Sequence, residues 1–353
     1  MDRSTAESLL SLAEQAAPRI KGVEAKATLS ELEERSTELL EAIEWFVDQQ
    51  RTDDALRLAN ALYGFWITKQ RFDEGSTWFT KALASPDGID SLRGAAYVNA
   101  GFMPFWAGDD ERAAELFHAG LEIGRGLDDA PLISRALGGL VRVALRSDVA
   151  EARRLAREAL AISEAAGDEQ SRSNAIHLLG VGAQIAGDLD EARTWMTQRL
   201  AIVREQGNLF LISSEAANLS MVERQLGNLD AAEALVREAL EIAERQGDEF
   251  TKPFAFSGLA AIATDRADYH RAATLVGAAE RIMETQGAAW PPDERPHYER
   301  MLAVLPEAMG SAAFEEARAG GQAMESGDAV KYALAGHPNR TIPTSSGTDF
   351  LSS

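Results

Sequence analysis

The sequence predicts an all-α fold of repeated helical hairpins, and two observations carry that prediction. A segment of about 40 residues recurs, most clearly at residues 187–192 and 227–232. In each copy a Leu follows the first Gly by thirteen residues and a second Gly follows it by twenty. One hairpin of this length cannot bury its own apolar face, so copies must stack to build a continuous core. We therefore expect a helical-hairpin solenoid with a helical cap at each end.

The register of the repeat is set by the equivalents of Gly187, which we call the turn markers. They are Gln70, Gly108, Ser147, Gly187, Gly227 and Ala267, separated by 38, 39, 40, 40 and 40 residues. A small residue follows each marker by five positions: Gly75, Ala113, Ala152, Ala192, Ala232 and Ala272. Thirteen positions after the marker stand Leu83, Leu121, Leu160, Leu200, Leu240 and, in the last copy, Glu280. Small residues let two helices approach closely and the large apolar residue fills the layer between hairpins, so the pattern has a packing cause.

The organisation along the chain follows from this register. Residues 1–50 are predicted to be an N-terminal cap of two helices, about 5–17 and 29–49, because Pro18 and Gly22 interrupt the apolar periodicity. Six hairpins are predicted within residues 51–287, at about 51–90, 91–129, 130–168, 169–208, 209–248 and 249–287. Two further helices, about 292–309 and 311–335, are predicted to form a C-terminal cap over 288–335. Residues 336–353, rich in Ser, Thr, Gly and Pro, are predicted to be a flexible tail.

Composition narrows the possible functions. The chain has 353 residues, 45% of them hydrophobic and 26% charged, with no Cys and a formal charge of −21. The absence of Cys removes disulfides and thiolate chemistry. The negative charge opposes direct nucleic-acid binding, which depends on Lys and Arg. Neither a signal peptide nor an apolar run long enough for a membrane span is recognisable, so we expect a cytoplasmic protein that does not bind membranes.

Catalytic and metal-binding patterns are missing from the sequence. The five histidines show no ligand spacing; they are His118, His177, His270, His297 and His337. No phosphate-binding loop and no nucleophile elbow occurs. Acidic pairs are so common on the predicted helix surfaces that none stands out as an acid and base couple. We therefore predict a non-enzymatic protein without cofactor or metal.

The hairpins resemble tetratricopeptide repeats, since Leu179-Gly180, Gly187, Ala192 and Leu200 lie at that family's relative spacings. A more specific resemblance is to the C-terminal repeat region of large bacterial transcriptional regulators, namely LuxR-type and signal-transduction ATPases. It is carried by residues 54–78, 272–298 and 313–334. The similarity spans about residues 5–335. It implies a right-handed superhelix that binds an inducer or a protein partner. The family's ATP-binding and DNA-binding domains have no counterpart here, so those activities are not implied.

The resemblance also implies which residues face the concave groove, because in such arrays the first helix of each hairpin lines it. Projection from the turn markers gives as principal candidates Asn60, Val98, Phe102, Phe105, Val141, Asn174, His177, Val181, Gln184, Met221 and Arg224, and as further positions Ile67, Leu137 and Phe254. This surface is mostly apolar with few polar groups. It therefore suits a small hydrophobic ligand or an amphipathic partner helix better than a peptide carboxylate. The competing interpretation is that the aromatic residues are core.

The function predicted from the sequence is a non-catalytic binding scaffold or ligand sensor in bacterial regulation. One alternative is a constitutive protein–protein adaptor. A second is an accessory or catalytic protein of a biosynthetic pathway that holds an apolar substrate in the groove. The sequence leaves open whether the protein is a monomer or a homodimer.

Overall fold

The computed structural model describes residues 1–20, 24–249, 251–286, 290 and 295–335. Within these ranges the chain forms eighteen α-helices and one short 3-10 helix, and no strand is found there. The all-α prediction is therefore confirmed. The helices group into two compact units, Met1–Gly227 and Asn228–Ser353. The predicted tail at 336–353 lies outside the described residues.

The first unit contains helices α1 to α12. Their bounds are α1 Arg3–Ala16, α2 Ala25–Glu34, α3 Ser36–Asp48, α4 Thr52–Thr68, α5 Phe72–Ala82, α6 Asp90–Ala107, α7 Asp110–Leu127, α8 Ala130–Ala144, α9 Val149–Ala166, α10 Glu169–Ile185, α11 Leu189–Glu205 and α12 Leu209–Gln225, with a 3-10 turn at Ala17–Arg19 after α1. From α3 onward each helix packs against the next. The first helices of successive hairpins, α4, α6, α8 and α10, also pack directly against one another. They form one layer, and the second helices α5, α7, α9 and α11 pack along it.

Close packing in this layer explains the small residues of the repeat. Ala113, Ala152 and Ala192 are fully buried where paired helices meet. A Cβ added at Gly101 would lie 2.7 Å from the ring of Phe117, and one added at Gly139 would lie 2.5 Å from it. Phe117 therefore fills a space that α6 and α8 leave open only because both carry Gly there.

Most turn markers share one backbone conformation. Gln70, Gly108, Gly187, Gly227 and Ala267 all have positive φ, between 54° and 90°. This left-handed conformation ends the helix and lets the chain reverse, and Gly adopts it most readily. The sixth marker, Ser147, does not adopt it. In that copy Asp148 still accepts the Glu151 N–H at 3.0 Å and caps the next helix.

The two ends differ in detail from the sequence-based helix assignments. The helix predicted at about 29–49 is two helices, α2 and α3, which are separated at Arg35. The helix predicted at about 311–335 is likewise two, because the chain is not helical at residues 323–325. The division of the chain into caps and repeats stays a prediction.

The second unit contains α13 Leu229–Gln246, α14 Lys252–Asp265, α15 Tyr269–Gln286, α16 Arg295–Met309, α17 Ser311–Gln322 and α18 Ser326–Leu334. Helices α15 and α17 approach backbone to backbone, because a Cβ added at Gly321 would overlap the carbonyl oxygen of Thr274. Glu280, which replaces the repeat's Leu, is buried here and accepts hydrogen bonds from Tyr298, Arg318 and Gln322. A polar centre thus joins α15 to α16 and α17.

None of the helices within the described residues is both long and apolar enough to cross a membrane.

Candidate binding site

Three of the projected groove residues lie in the core. Val98 is 0% exposed, Phe105 6% and Val141 1%, so none of them offers a surface to a ligand. The projection assigned these residues to the wrong side of their helices, because an error of one residue in the register turns a side chain by about 100°. Leu137 is also fully buried.

The other projected residues keep solvent access. Asn174 is exposed. The others are half-buried: Asn60, Ile67, Phe102, His177, Val181, Gln184, Met221, Arg224 and Phe254. All but Phe254 belong to the first unit. The structure joins Asn60 and Phe102 to one cluster and places His177 in another.

A chain of hydrogen bonds crosses three first helices. The Asn60 side chain on α4 donates to the carbonyl oxygen of Leu92 at 3.2 Å. Asn99 on α6 donates to Asn60 Oδ1 at 2.8 Å, and Arg135 on α8 donates to Asn99 Oδ1 at 2.6 Å. The bonds fix the orientation of both amides and hold the guanidinium of Arg135 beside them.

Aromatic side chains lie next to this polar chain. The rings of Tyr63 and Phe102 have centroids 5.9 Å apart, and Phe102 packs edge-on against the buried ring of Phe117 at 5.0 Å. The guanidinium carbon of Arg142 lies 5.9 Å from the centroid of Phe102. Tyr63 and Phe102 thus provide a half-buried apolar wall that is anchored in the core and touched by a cation.

The hydrogen-bonded and aromatic residues described above form one group, which we call the arginine cluster: Asn60, Tyr63, Asn99, Phe102, Arg135 and Arg142. The pKa values of its tyrosine and its two arginines are shifted. Burial raises the pKa of Tyr63, although the charges of Arg135 and Arg142 act in the opposite direction. Desolvation by the surrounding helices lowers the pKa of both arginines, even though each side chain still reaches solvent. A guanidinium starts far above neutrality, so both remain charged.

Sequence reasoning missed Tyr63, Asn99, Arg135 and Arg142 for a specific reason. The markers Gln70 and Gly108 are 38 residues apart, but the paired side chains Asn60 and Asn99 are separated by 39. Projection from the marker therefore gave Val98, one residue away from Asn99.

A usable signal for the arginines was present in the sequence. Twelve residues before the markers the other copies carry Leu58, Ala96, Ala175, Glu215 and Ala255, whereas the third copy carries Arg135. Five residues before the markers they carry Phe65, Met103, Gly182, Val222 and Ile262, whereas the third copy carries Arg142. A charge at a position that is usually small or apolar indicates a local role.

A second cluster, the buried triad, lies on α10, α11 and α12 and consists of His177, Arg199 and Glu215. Arg199 and Glu215 are each 2% exposed. Glu215 Oε1 lies 2.9 Å from His177 Nδ1 and 3.6 Å from Arg199 Nε. Among the described residues no well-aligned hydrogen-bond partner is found for Arg199 Nε and Nη1 or for Glu215 Oε2.

Glu215 and Arg199 of the triad stay ionised although they are buried. Burial by itself would raise the pKa of Glu215, but the nearby His177 and the charge of Arg199 outweigh it and keep that pKa below its usual range. Desolvation lowers the pKa of Arg199, which still stays charged because guanidinium pKa values lie above about 12. The pair is therefore a buried ion pair whose outer edge is the half-buried ring of His177.

The two clusters differ in what they offer to a ligand or an ion. Among the residues that the structure describes, no three His, Asp or Glu side chains are grouped so that they could hold a metal ion. The arginine cluster offers fixed hydrogen-bond donors beside an apolar wall, which is the composition of a ligand site.

Comparisons with known proteins give structural neighbours only. No protein-family profile and no curated sequence matches the chain. A Rap protein complexed with Competence and Sporulation Factor has a TM-score of 0.60 and 15% identity, with 88% of this chain and 85% of that one covered. Aspartyl phosphate phosphatase F from Bacillus subtilis has a TM-score of 0.51 and 12% identity, with 92% of this chain and 97% of that one covered.

A third neighbour bears on the resemblance seen in the sequence. It is a signal transduction ATPase with numerous domains and a tetratricopeptide repeat sensor from Pyrococcus horikoshii, with a TM-score of 0.51 and 12% identity. The match covers 90% of this chain but 55% of that protein. Identities this low show the fold alone, and the fold they show is the tetratricopeptide-like helical repeat array that the sequence predicted.

Proposed function

We propose that this protein is a non-catalytic binding scaffold in bacterial regulation, which holds a small ligand against the first-helix face of its first unit. The observation that carries the proposal is the arginine cluster, in which donors from α4, α6 and α8 converge beside the rings of Tyr63 and Phe102. The fold is consistent with such a role, since one structural neighbour is a Rap protein in complex with a factor.

A small ligand fits this surface better than a long partner helix. A helix docked along the first helices would require a continuous apolar stripe. Here the exposed Asn174 and the half-buried His177 interrupt the surface beyond Phe102. A ligand seated at the cluster would contact three hairpins together and so favour the arrangement of α4, α6 and α8 that fits it best.

Native mass spectrometry of the full chain purified from its own host tests the proposal. We expect a stoichiometric small molecule that is retained by wild type and lost from Tyr63→Ala plus Phe102→Ala. Trp106→Ala is the matched control, because Trp106 is an exposed aromatic residue on the same helix, α6, outside the cluster. Circular dichroism establishes that each variant is folded. A protein recovered in its apo mass with a stoichiometric protein partner would contradict the proposal and favour the adaptor.

A further inference from the structure

We infer that the ligand of the arginine cluster carries an oxyanion group, a carboxylate or a phosphate, which Arg135 and Arg142 bind together while an adjoining apolar group packs on Tyr63 and Phe102. The inference rests on the proposed function and names the chemistry of the same site.

The first reason is that these two arginines lack the close carboxylate that most other cations of the unit have. Arg153 pairs with Asp188 and Glu191, and Arg125 pairs with Glu158 at 2.7 Å. Neither Arg135 nor Arg142 has a carboxylate within 4.0 Å among the described residues. The charge of Tyr63 acts on both arginines, and that of Asp129, the residue that caps α8, acts on Arg135. In the part of the chain that the structure describes, Arg93 of the same unit also has no carboxylate within 4.0 Å, but its guanidinium donates to the carbonyl oxygens of Ser85 and Asp87.

The second reason is unused hydrogen-bonding capacity. Each guanidinium has five N–H donors. Arg135 uses one on Asn99 Oδ1, and Arg142 uses one on the carbonyl oxygen of Gly138 at 3.0 Å. The planar donor pairs that remain match the two oxygens of a carboxylate or the oxygens of a phosphate.

The third reason is where the charges are placed. Arg142 is half-buried and Arg135 is exposed, and the neighbouring helices remove enough hydration to lower the pKa of both, with no carboxylate in direct contact among the described residues. An anion that enters supplies the missing counter-charge in surroundings where the interaction is screened less than in water. The wall of Tyr63 and Phe102 beside it accounts for the apolar part of the ligand.

Matched probes test the inference on the full chain. Calorimetric titrations would compare 3-phenylpropionate with its neutral amide, phenyl phosphate with phenol, and the peptide acetyl-Ala-Ala-Phe as free acid with its C-terminal amide. We expect at least one anion to bind more tightly than its neutral counterpart by about tenfold or more. The anion that binds most tightly identifies the source as a small carboxylate, a phosphate ester or a peptide C-terminus, and each of these results supports the inference.

Variants assign that preference to the two arginines. Arg135→Gln plus Arg142→Gln should abolish the difference between anion and neutral probe, and Arg142→Lys should keep part of it, because Lys retains the charge but not the planar pair of donors. Arg154→Gln is the control, since it removes the same charge from the exposed surface of α9. All three variants alter side chains that reach solvent, and thermal unfolding verifies that they fold.

Three results would overturn the inference: equal binding of anion and neutral probe, undiminished preference in the double Gln variant, or no binding of any anion. Equal binding that still depends on Tyr63 and Phe102 would leave the proposed function standing. No binding of any probe, together with an apo mass from the host, would remove both.

Discussion

The carboxylate of Glu215 on α12 contacts side chains of α10 and α11 and so links the three helices. It is buried between the guanidinium of Arg199 and the imidazole of His177 and belongs to a different helix from each. Ion pairs of this kind contribute little compared with a well-packed apolar replacement, but removal of one partner leaves the other as an uncompensated buried charge.

We therefore predict that Glu215→Ala lowers the free energy of unfolding by about 3–5 kcal/mol. The combined change Glu215→Leu and Arg199→Met should cost much less, because it removes both charges and keeps apolar volume. Urea denaturation of wild type, Glu215→Ala, the combined variant and its two single variants, Glu215→Leu and Arg199→Met, measures the differences. A loss in the combined variant equal to the sum of its two single variants would contradict this account of the triad.

The same carboxylate should make stability depend on pH. Its pKa is lower in the folded chain than in the unfolded one, so the folded state binds fewer protons in the acid range. The contribution of Glu215 is then complete above the unfolded pKa of about 4.3 and is lost as the pH falls through the lower folded value. The free-energy gap between wild type and Glu215→Gln should thus shrink as the pH falls below about 4.3. A gap that widens in acid would refute the direction of the shift.

The groove projection stays a prediction for the residues that keep solvent access, among them Asn60 and Phe102. It was wrong for the residues that lie in the core. Val98 was misplaced because the markers Gln70 and Gly108 are 38 residues apart, whereas Asn60 and its partner Asn99 are 39 apart. Glu215 was overlooked, although the same position holds Ala175 and Ala255 in neighbouring copies.

At the scale of elements, a turn can keep the backbone conformation of the repeat even where its residue is not Gly. Ala267 has a φ of 60° at a position where Gly187 and Gly227 have 82° and 81°. A non-Gly residue in the left-handed region costs about 1–2 kcal/mol. The backbone at this turn is therefore determined by the stacked helices rather than by the local residue.

Ala267→Gly should accordingly stabilise the protein by about 1 kcal/mol. The reciprocal change, Gly227→Ala, should destabilise it by a similar amount through backbone strain alone, because an added Cβ there meets nothing within 4 Å. Thermal unfolding of both variants gives the two values. A loss of stability in Ala267→Gly would show that the left-handed turn is not maintained.

Helix α17 offers a second test through two neighbouring glycines. An added Cβ at Gly321 would overlap the backbone of α15, whereas at Gly320 it meets nothing within 4 Å. Gly321→Ala should destabilise the protein by about 1–3 kcal/mol or more, because α15 and α17 would have to separate. Gly320→Ala should be neutral or stabilising by up to about 1 kcal/mol, since Ala favours a helix over Gly. Equal effects in a denaturation experiment would contradict the close approach of the two helices.

The elements themselves were largely readable from the sequence. The 40-residue period and the apolar patterns predict helical hairpins, and Gly and Asp residues mark many of their ends. The break at Arg35 was not predicted, because the apolar periodicity continues across it. The split between α17 and α18 was missed as well, since no Pro marks it.

At the scale of the whole molecule, charge and fold give the binding surface its character. The chain is strongly acidic, and many of its arginines are paired with acids in neighbouring repeats, as Arg146 is with Asp110 and Arg266 with Asp230. Exposed pairs of this kind contribute about 0–1 kcal/mol each. Their larger effect is to leave the arginine cluster as a local positive site on an otherwise acidic first unit.

The central claim is that this first-helix face, and not the layer of second helices, receives the ligand. Hydrogen–deuterium exchange of the full chain tests it directly, with and without the molecule that co-purifies from the host or, failing one, with 3-phenylpropionate at saturation. The account predicts slower exchange in peptides from α4, α6 and α8, and no such change in the double variant of Arg135 and Arg142. Protection confined to α5, α7 and α9 would contradict it.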